Sequence, residues 1–249
     1  MAKPEWIELP DCEPIPILYE DRSGLAVDKP PGWLLIPVHW QRTARNLQAA
    51  LESSIRAGDW WARSRGLKYL RHVHRLDGET SGALLLAKSP GALSAYSRLF
   101  QTGRVQKTYL AVVRGQVRRT QWVCRLKLAP SPDRTGRIRV DRVHGKPAET
   151  FFRTVAIGQD VTLVECRPRT GRTHQIRVHL AAGGHPVLGD RLYGPAEDEP
   201  TNLGLRAVQL AYLDPFTRKP VDIRAPWSQF LAEHGFEKVI WEPERQSIP

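Results

Sequence analysis

The chain has 249 residues, 41% of them hydrophobic and 25% charged, ordinary proportions for a globular protein with a full core. Its formal net charge of +11 favours polyanionic partners, nucleic acid first. Cys12, Cys124 and Cys166 are too scattered for a disulfide framework or a zinc pair, and no apolar run reaches the ~18 residues of a membrane span. With no apolar signal segment at the start, these features read as a cytoplasmic protein with no membrane association.

In chain order, residues 1–15 read as a loose N-terminal arm. The stretch "PILYEDRSGLAVDKPPGWLLIPV" (16–38) predicts short strands, broken by a turn and by Pro30-Pro31-Gly32. Residues 43–58 predict a helix, with Leu47, Ala50, Leu51, Ser54 and Ile55 on one face and Gly58 as its stop. A loop with a Trp pair follows at 59–68, then a strand in "YLRHVHRL". A short buried strand is expected in "GALLLAKS" (82–89) and a helix over 90–103, opened by Pro90 and closed by Gly103.

"RVQKTYLAVVRGQV" is strand-like. Residues 118–147 are strongly basic, with short β-like runs. "ETFFRTVAIGQDVTLVECRPRTG" predicts a hairpin turning near Gly158-Gln159-Asp160, and "RTHQIRVHLAAGG" a helix ending at Gly183-Gly184. "HPVLGD" reads as a short strand, 194–204 as a polar loop, "LRAVQLAYLDPF" as a further strand, and a last helix starts near Pro226. Strands in runs with few helices argue α+β. No linker is evident, so 16–249 reads as a single domain.

The stretch "HRLDGETSG" (74–82) concentrates reactive side chains. His72 and His74 would share a strand face and, with Asp77, could hold a metal for hydrolysis. The other histidines form no second cluster, and one core and one surface histidine explain the pair as well. Asp77 and Glu79 could instead be a carboxylate pair, but that spacing suits paired catalysis only in some turns. A third reading makes Asp77 a lone carboxylate. It needs no activating base, only to be ionised, oriented and faced with an electrophile such as a sugar C1′. An arginine partner favours ionisation. Candidates lie in "RPRTGRTHQIRVH" (167–179), where His174, Arg177 and Val178 would share a helix face with Ile176 and Leu180 packing the other. Arg167, Arg169 and Arg172 suit phosphate.

"HRLDGETSG", "KTYLAVVRG" and "RTGRTHQIRVHLAAGGHPVLGD", in this order and spacing, resemble the three motifs of the RluA-type pseudouridine synthases. "AVDKPPGWLLIPV" resembles the family's preceding strand and turn. The resemblance implies a pseudouridine synthase fold, α+β, with a mixed, mostly antiparallel sheet, flanking helices and a central cleft. It implies isomerisation of uridine to pseudouridine in structured RNA, ribosomal or transfer, with no cofactor and no metal. It makes Asp77 the catalytic aspartate and Arg177 its partner. Tyr109 would stack on the uracil with its hydroxyl near C5, and Arg75 would fill the space left by the flipped nucleotide. No appended N-terminal RNA-binding domain and no obligate protein partner are expected, consistent with a monomer. Leu205-Arg206-Ala207 departs from the Leu-His-Ala of many members.

RNA grip would then fall to the basic segment, including Arg118, Arg119, Arg134, Arg137 and Arg139. Two rival readings are a metal-dependent hydrolase built on His72, His74 and Asp77, and a non-catalytic RNA-binding protein on the same fold.

Overall fold

A computed structural model describes residues 2–10, 12–35, 45–195 and 202–243. His39, the expected helix start at Thr43 and most of the 194–204 loop lie outside the described residues. In chain order the elements are β1 (Trp6–Ile7), β2 (Ile15–Glu20), β3 (Gly24–Lys29), α1 (Leu47–Ala57), α2 (Trp60–Arg63), β4 (Arg71–His72), β5 (Ser81–Ala87) and α3 (Pro90–Gln101). They continue as β6 (Gln106–Arg114), β7 (Gln121–Cys124), β8 (Leu128–Pro130), β9 (Ile138–Val140), β10 (Thr150–Ile157), β11 (Val161–Pro168) and α4 (Gln175–Ala182). The last three are β12 (Leu205–Leu213), β13 (Pro220–Arg224) and α5 (Ser228–Glu233). The class is α+β, as expected.

The chain forms two compact units. One holds Met1–Val105 and Leu210–Ala225, the other Gln106–Gln209 and Pro226–Ser247.

In the first unit the strand order is β1-β2-β3-β5-β12, with β4 against β5 and β13 against β12. β3 and β5 pair antiparallel from Gly24↔Ala87 to Lys29↔Gly82. Leu84, Leu85 and Leu86 of β5 are fully buried, which is why this run shows no alternation in sequence. α3 sits over this sheet through Ala92 and Tyr96. Its ends are set locally: the Ser89 side chain caps Ala92 N–H, Pro90 occupies the first turn, and Gly103 follows at φ 70°. α1 likewise starts on the Asn46 cap and stops at Gly58, whose φ of 75° suits glycine.

Four expectations change here. The arm is not loose: Ile7 is fully buried and pairs with Ile15. Residues 60–63 are helical rather than loop, because Trp61 is buried and its Nε1 donates to Ser54 Oγ at 2.7 Å. "YLRHVHRL" yields only two strand residues. Val73 N–H still reaches Leu85 O, but the Leu85 N–H goes to the His74 ring (3.1 Å) in place of a backbone rung. β13 was not expected; it alternates, with Val221 and Ile223 inward.

In the second unit the order is β12-β6-β11-β10-β7. β10 and β11 form the expected hairpin, Gly158 closing it by N–H to Val161 O at 2.8 Å. α5, Phe236 and Trp241 pack with Leu110, Leu163 and Val208. β8 and β9 make a separate two-stranded ribbon, and its Leu128, Ile138 and Val140 pack with Val178 of α4. The buried Glu165 carboxylate is held by Arg153, Arg167 and Trp241 Nε1.

Two further expectations change in this unit. α4 begins at Gln175, and His174 is its left-handed N-cap (φ 52°), so His174 shares no helical face with Arg177. Residues Gln175 to Leu180 are all buried, so the helix has no separate packing side. "HPVLGD" is a turn with a single bridge, Val187 to Val113, because Asp190 Oδ1 accepts Leu192 N–H and Tyr193 N–H and curls the chain.

Candidate active site

Asp77 lies in a turn between β4 and β5, where Thr80 N–H donates to Asp77 O at 3.1 Å. Leu76 before it is buried and anchors the turn, while Asp77 is half-buried and Arg75 and Glu79 are exposed. The turn is clamped from below. Lys29, at the end of β3, has no exposed surface, and its Nζ donates to Pro30 O (2.9 Å), Gly78 O (2.8 Å) and Thr80 O (2.9 Å). All three ammonium protons are thereby used. Burial pulls this ammonium down to about 8, against the attraction of Glu79 and Asp77. Gly32 N–H gives Gly78 O a second donor at 2.9 Å. A Cβ on Gly78 would come within 2.9 Å of Leu34 Cδ2, a contact that the terminal methyl of Leu34 would have to move to relieve.

The two motif histidines are engaged elsewhere. His72 Nδ1 lies 2.9 Å from Gln48 Oε1, and burial with Arg71 and Arg75 nearby holds its pKa below the usual range. His74 is stacked on Phe100 at 4.5 Å, with its Nε2 on Leu85 N–H. Among the described residues no three or more His, Cys, Asp and Glu side chains group as metal ligands would.

In the second unit, Tyr109 of β6 stands opposite Cys166 of β11 and is 8% exposed. Lys107, two residues earlier on the same strand face, donates to Thr170 O at 3.1 Å, and burial lowers its pKa to about 8. Arg177 is buried in α4. Its Nε and Nη2 donate to the two carboxylate oxygens of Asp190, each at 2.7 Å, and its guanidinium carbon lies 5.2 Å from the centre of the Tyr193 ring. This forked geometry fixes the plane of the guanidinium. Arg206, at the departing position, donates to Pro226 O at 2.7 Å.

The structure therefore groups Asp77 and Arg75 on one turn, and Tyr109 and Arg177 within the other unit. Sequence reasoning missed Lys29, Asp190 and Tyr193. A signal existed for Asp190: it is the only acid between Cys166 and Pro195, and a buried arginine needs a carboxylate. For Lys29 the sequence offered a lysine directly after Asp28 at the end of a strand, with nothing to show that it would be buried.

The α+β scaffold thus carries an ordered carboxylate turn in one unit, and a buttressed arginine and a β-strand tyrosine in the other. The RNA pseudouridylate synthase family matches residues 24–182, and the chain belongs to this family, of the RluA type. It is 35% identical over 233 residues to ribosomal large subunit pseudouridine synthase C of Vibrio vulnificus, covering 90% of this chain and 68% of that protein. An uncharacterized RNA pseudouridine synthase of Zymomonas mobilis is 34% identical, with 88% of this chain and 97% of that protein aligned. Among solved structures, human RNA pseudouridylate synthase domain containing 1 superposes with a TM-score of 0.69 at 29% identity, over 85% of this chain and 83% of that one. The protein is an isomerase that forms pseudouridine in RNA.

Proposed function

We propose that the substrate is ribosomal RNA and that Asp77 is the essential carboxylate. The relatives named for the large ribosomal subunit support the first part. The observation that carries the second is the Lys29 clamp, which holds a half-buried aspartate in one turn geometry. In the reaction the N1–C1′ bond breaks, the uracil turns, and a C5–C1′ bond forms. C5 loses its proton and N1 gains one, so atoms balance without a co-reactant. Asp77 acts on the sugar, either at C1′ or by assisting elimination. Arg177 supplies the cation that keeps a carboxylate ionised, Tyr109 stacks on the uracil and places its hydroxyl near C5, and Arg75 occupies the vacated stack.

The exposed Arg118, Arg119, Arg134 and Arg139 suit phosphate contacts, in keeping with the +11 charge. Residues 16–249 act as one catalytic domain, as a cytoplasmic monomer without cofactor. No described helix is long and apolar enough to cross a membrane.

The test is Asp77→Asn, assayed by tritium release from C5-labelled uridine in ribosomal RNA. Folding and RNA affinity should be retained and tritium release abolished. Near-normal turnover would sink the assignment.

A further inference from the structure

The proposed RNA-gripping ribbon and the proposed arginine of the site meet at one side chain, Tyr193. Its hydroxyl accepts the N–H of Ile138, the first residue of β9, at 2.9 Å. The same hydroxyl is hydrogen-bonded to His174 Nδ1 at 2.8 Å. Its ring has two guanidinium groups over it, Arg137 of the ribbon at 5.6 Å and Arg177 at 5.2 Å. Its backbone N–H donates to the Asp190 oxygen that also receives Arg177 Nη2. Each contact is modest by itself. Together they give Tyr193 one edge on the ribbon and one face on Arg177, all within the second unit.

Two features argue that this is a built junction. His174 is one of only two described non-glycine residues at positive φ, a left-handed conformation uncommon outside glycine but entered more readily by histidine than by most side chains. In that conformation its Nδ1 reaches the Tyr193 hydroxyl. The second feature is economy of support. Between Pro130 and Ile138 the ribbon's tip runs through seven residues that include Arg134 and Arg137, and among the described residues its apolar backing is a small cluster of Leu128, Ile138 and Val140 against Ala148, Val178 and Tyr193. A ribbon with so small a core takes its position from the few polar contacts that pin it.

We propose that Tyr193 is a positioning residue that ties the basic β8–β9 ribbon to Arg177, so that RNA held by the ribbon is placed in register with the site. The proposal rests on the reading of Arg177 given above. The hydroxyl holds the ribbon backbone at Ile138, whereas the ring carries Arg177 together with the ribbon's Arg137. The two functions of one side chain are therefore separable by substitution.

Tyr193→Phe keeps the ring and removes the acceptor of Ile138 N–H. It should raise KM several-fold while the single-turnover rate at saturating RNA stays within about twofold of wild type, since only binding interactions are lost. Tyr193→Leu removes the ring as well, and its single-turnover rate should fall by about threefold to thirtyfold, the range for a partly buried cation–π contact. Arg137→Ala should raise KM, and combining it with Tyr193→Phe should add little, because both loosen the same ribbon. A merely structural tyrosine would lower melting temperature and leave the split between KM and rate unmoved.

Equal rates for the Phe and Leu variants overturn the proposal, and so do KM effects of Arg137→Ala and Tyr193→Phe that multiply independently. If Tyr193→Leu fails to fold, the Phe variant and its cycle with Arg137→Ala decide alone. Arg177→Lys separates the two readings. An undiminished single-turnover rate there overturns the role of Arg177 and this proposal with it. A loss there, with Tyr193→Leu at wild-type rate, overturns the role of Tyr193 only.

Discussion

Lys29→Met tests the clamp beneath Asp77. Methionine fits the same space but donates nothing. Gly78 O keeps the Gly32 N–H, whereas Pro30 O and Thr80 O each lose the donor described for them. Two stranded carbonyls cost about 2–6 kcal/mol together. Against this, the buried ammonium no longer has to be desolvated. Its fall from 10.5 to about 8 corresponds to about 3 kcal/mol. The net change in stability at neutral pH is therefore small, between a gain of about 1 and a loss of about 3 kcal/mol by these two magnitudes.

The effect on chemistry is larger, because a reactive group displaced by about 1 Å can lose about a hundredfold in rate. Single-turnover tritium release should fall at least about tenfold at saturating RNA, with RNA affinity unchanged. The substitution also has a pH signature. Between the folded value of about 8 and the ordinary lysine value near 10.5, the unfolded chain holds a proton that the folded one has released. Wild-type stability relative to the variant should thus rise with pH across that window and stay flat below it. Denaturant unfolding of both proteins from pH 7 to 10.5 measures this. A variant with wild-type turnover and no pH-dependent difference would show that Lys29 neither holds the turn nor is buried as a cation.

Asp190→Asn should destabilise by about 3–5 kcal/mol, since it leaves the buried Arg177 guanidinium without its carboxylate; chemical denaturation checks this, and a loss below 1 kcal/mol on the same scale would mean the pair is solvated. Charge reversal at Arg118 and Arg119 should raise KM for all RNAs alike and flatten the salt dependence of binding, with single-turnover chemistry unaffected. Unchanged affinity and salt slope would place the RNA elsewhere. Activity should survive exhaustive chelation; activity lost to chelator and restored by zinc or manganese would instead support a metal role at His72, His74 and Asp77.

Some of this protein is written locally and some is not. α3 could be read from Ser89, Pro90 and Gly103, and the β10–β11 hairpin from its turn, because caps and turns act within a few residues. The motif around Asp77 and the family resemblance were equally legible, since a short run of specified residue types carries them. The termination of β4 was not, because the rung that ends it is replaced by the His74 side chain acting on a strand eleven residues away. Nor was the pairing of β1, where Ile7 gains its burial only once Ile15 lies beside it. The support of the site is the clearest case. Lys29 meets Gly78 across 49 residues, and Arg177 meets Asp190 only after the chain turns at "HPVLGD". An ammonium or a guanidinium can be buried only where oxygen acceptors converge on it, and that convergence is a property of the folded chain. The sequence by itself determined the class of reaction and marked Asp77 as the candidate carboxylate; the tertiary structure decided what holds the Asp77 turn and the Arg177 guanidinium in place.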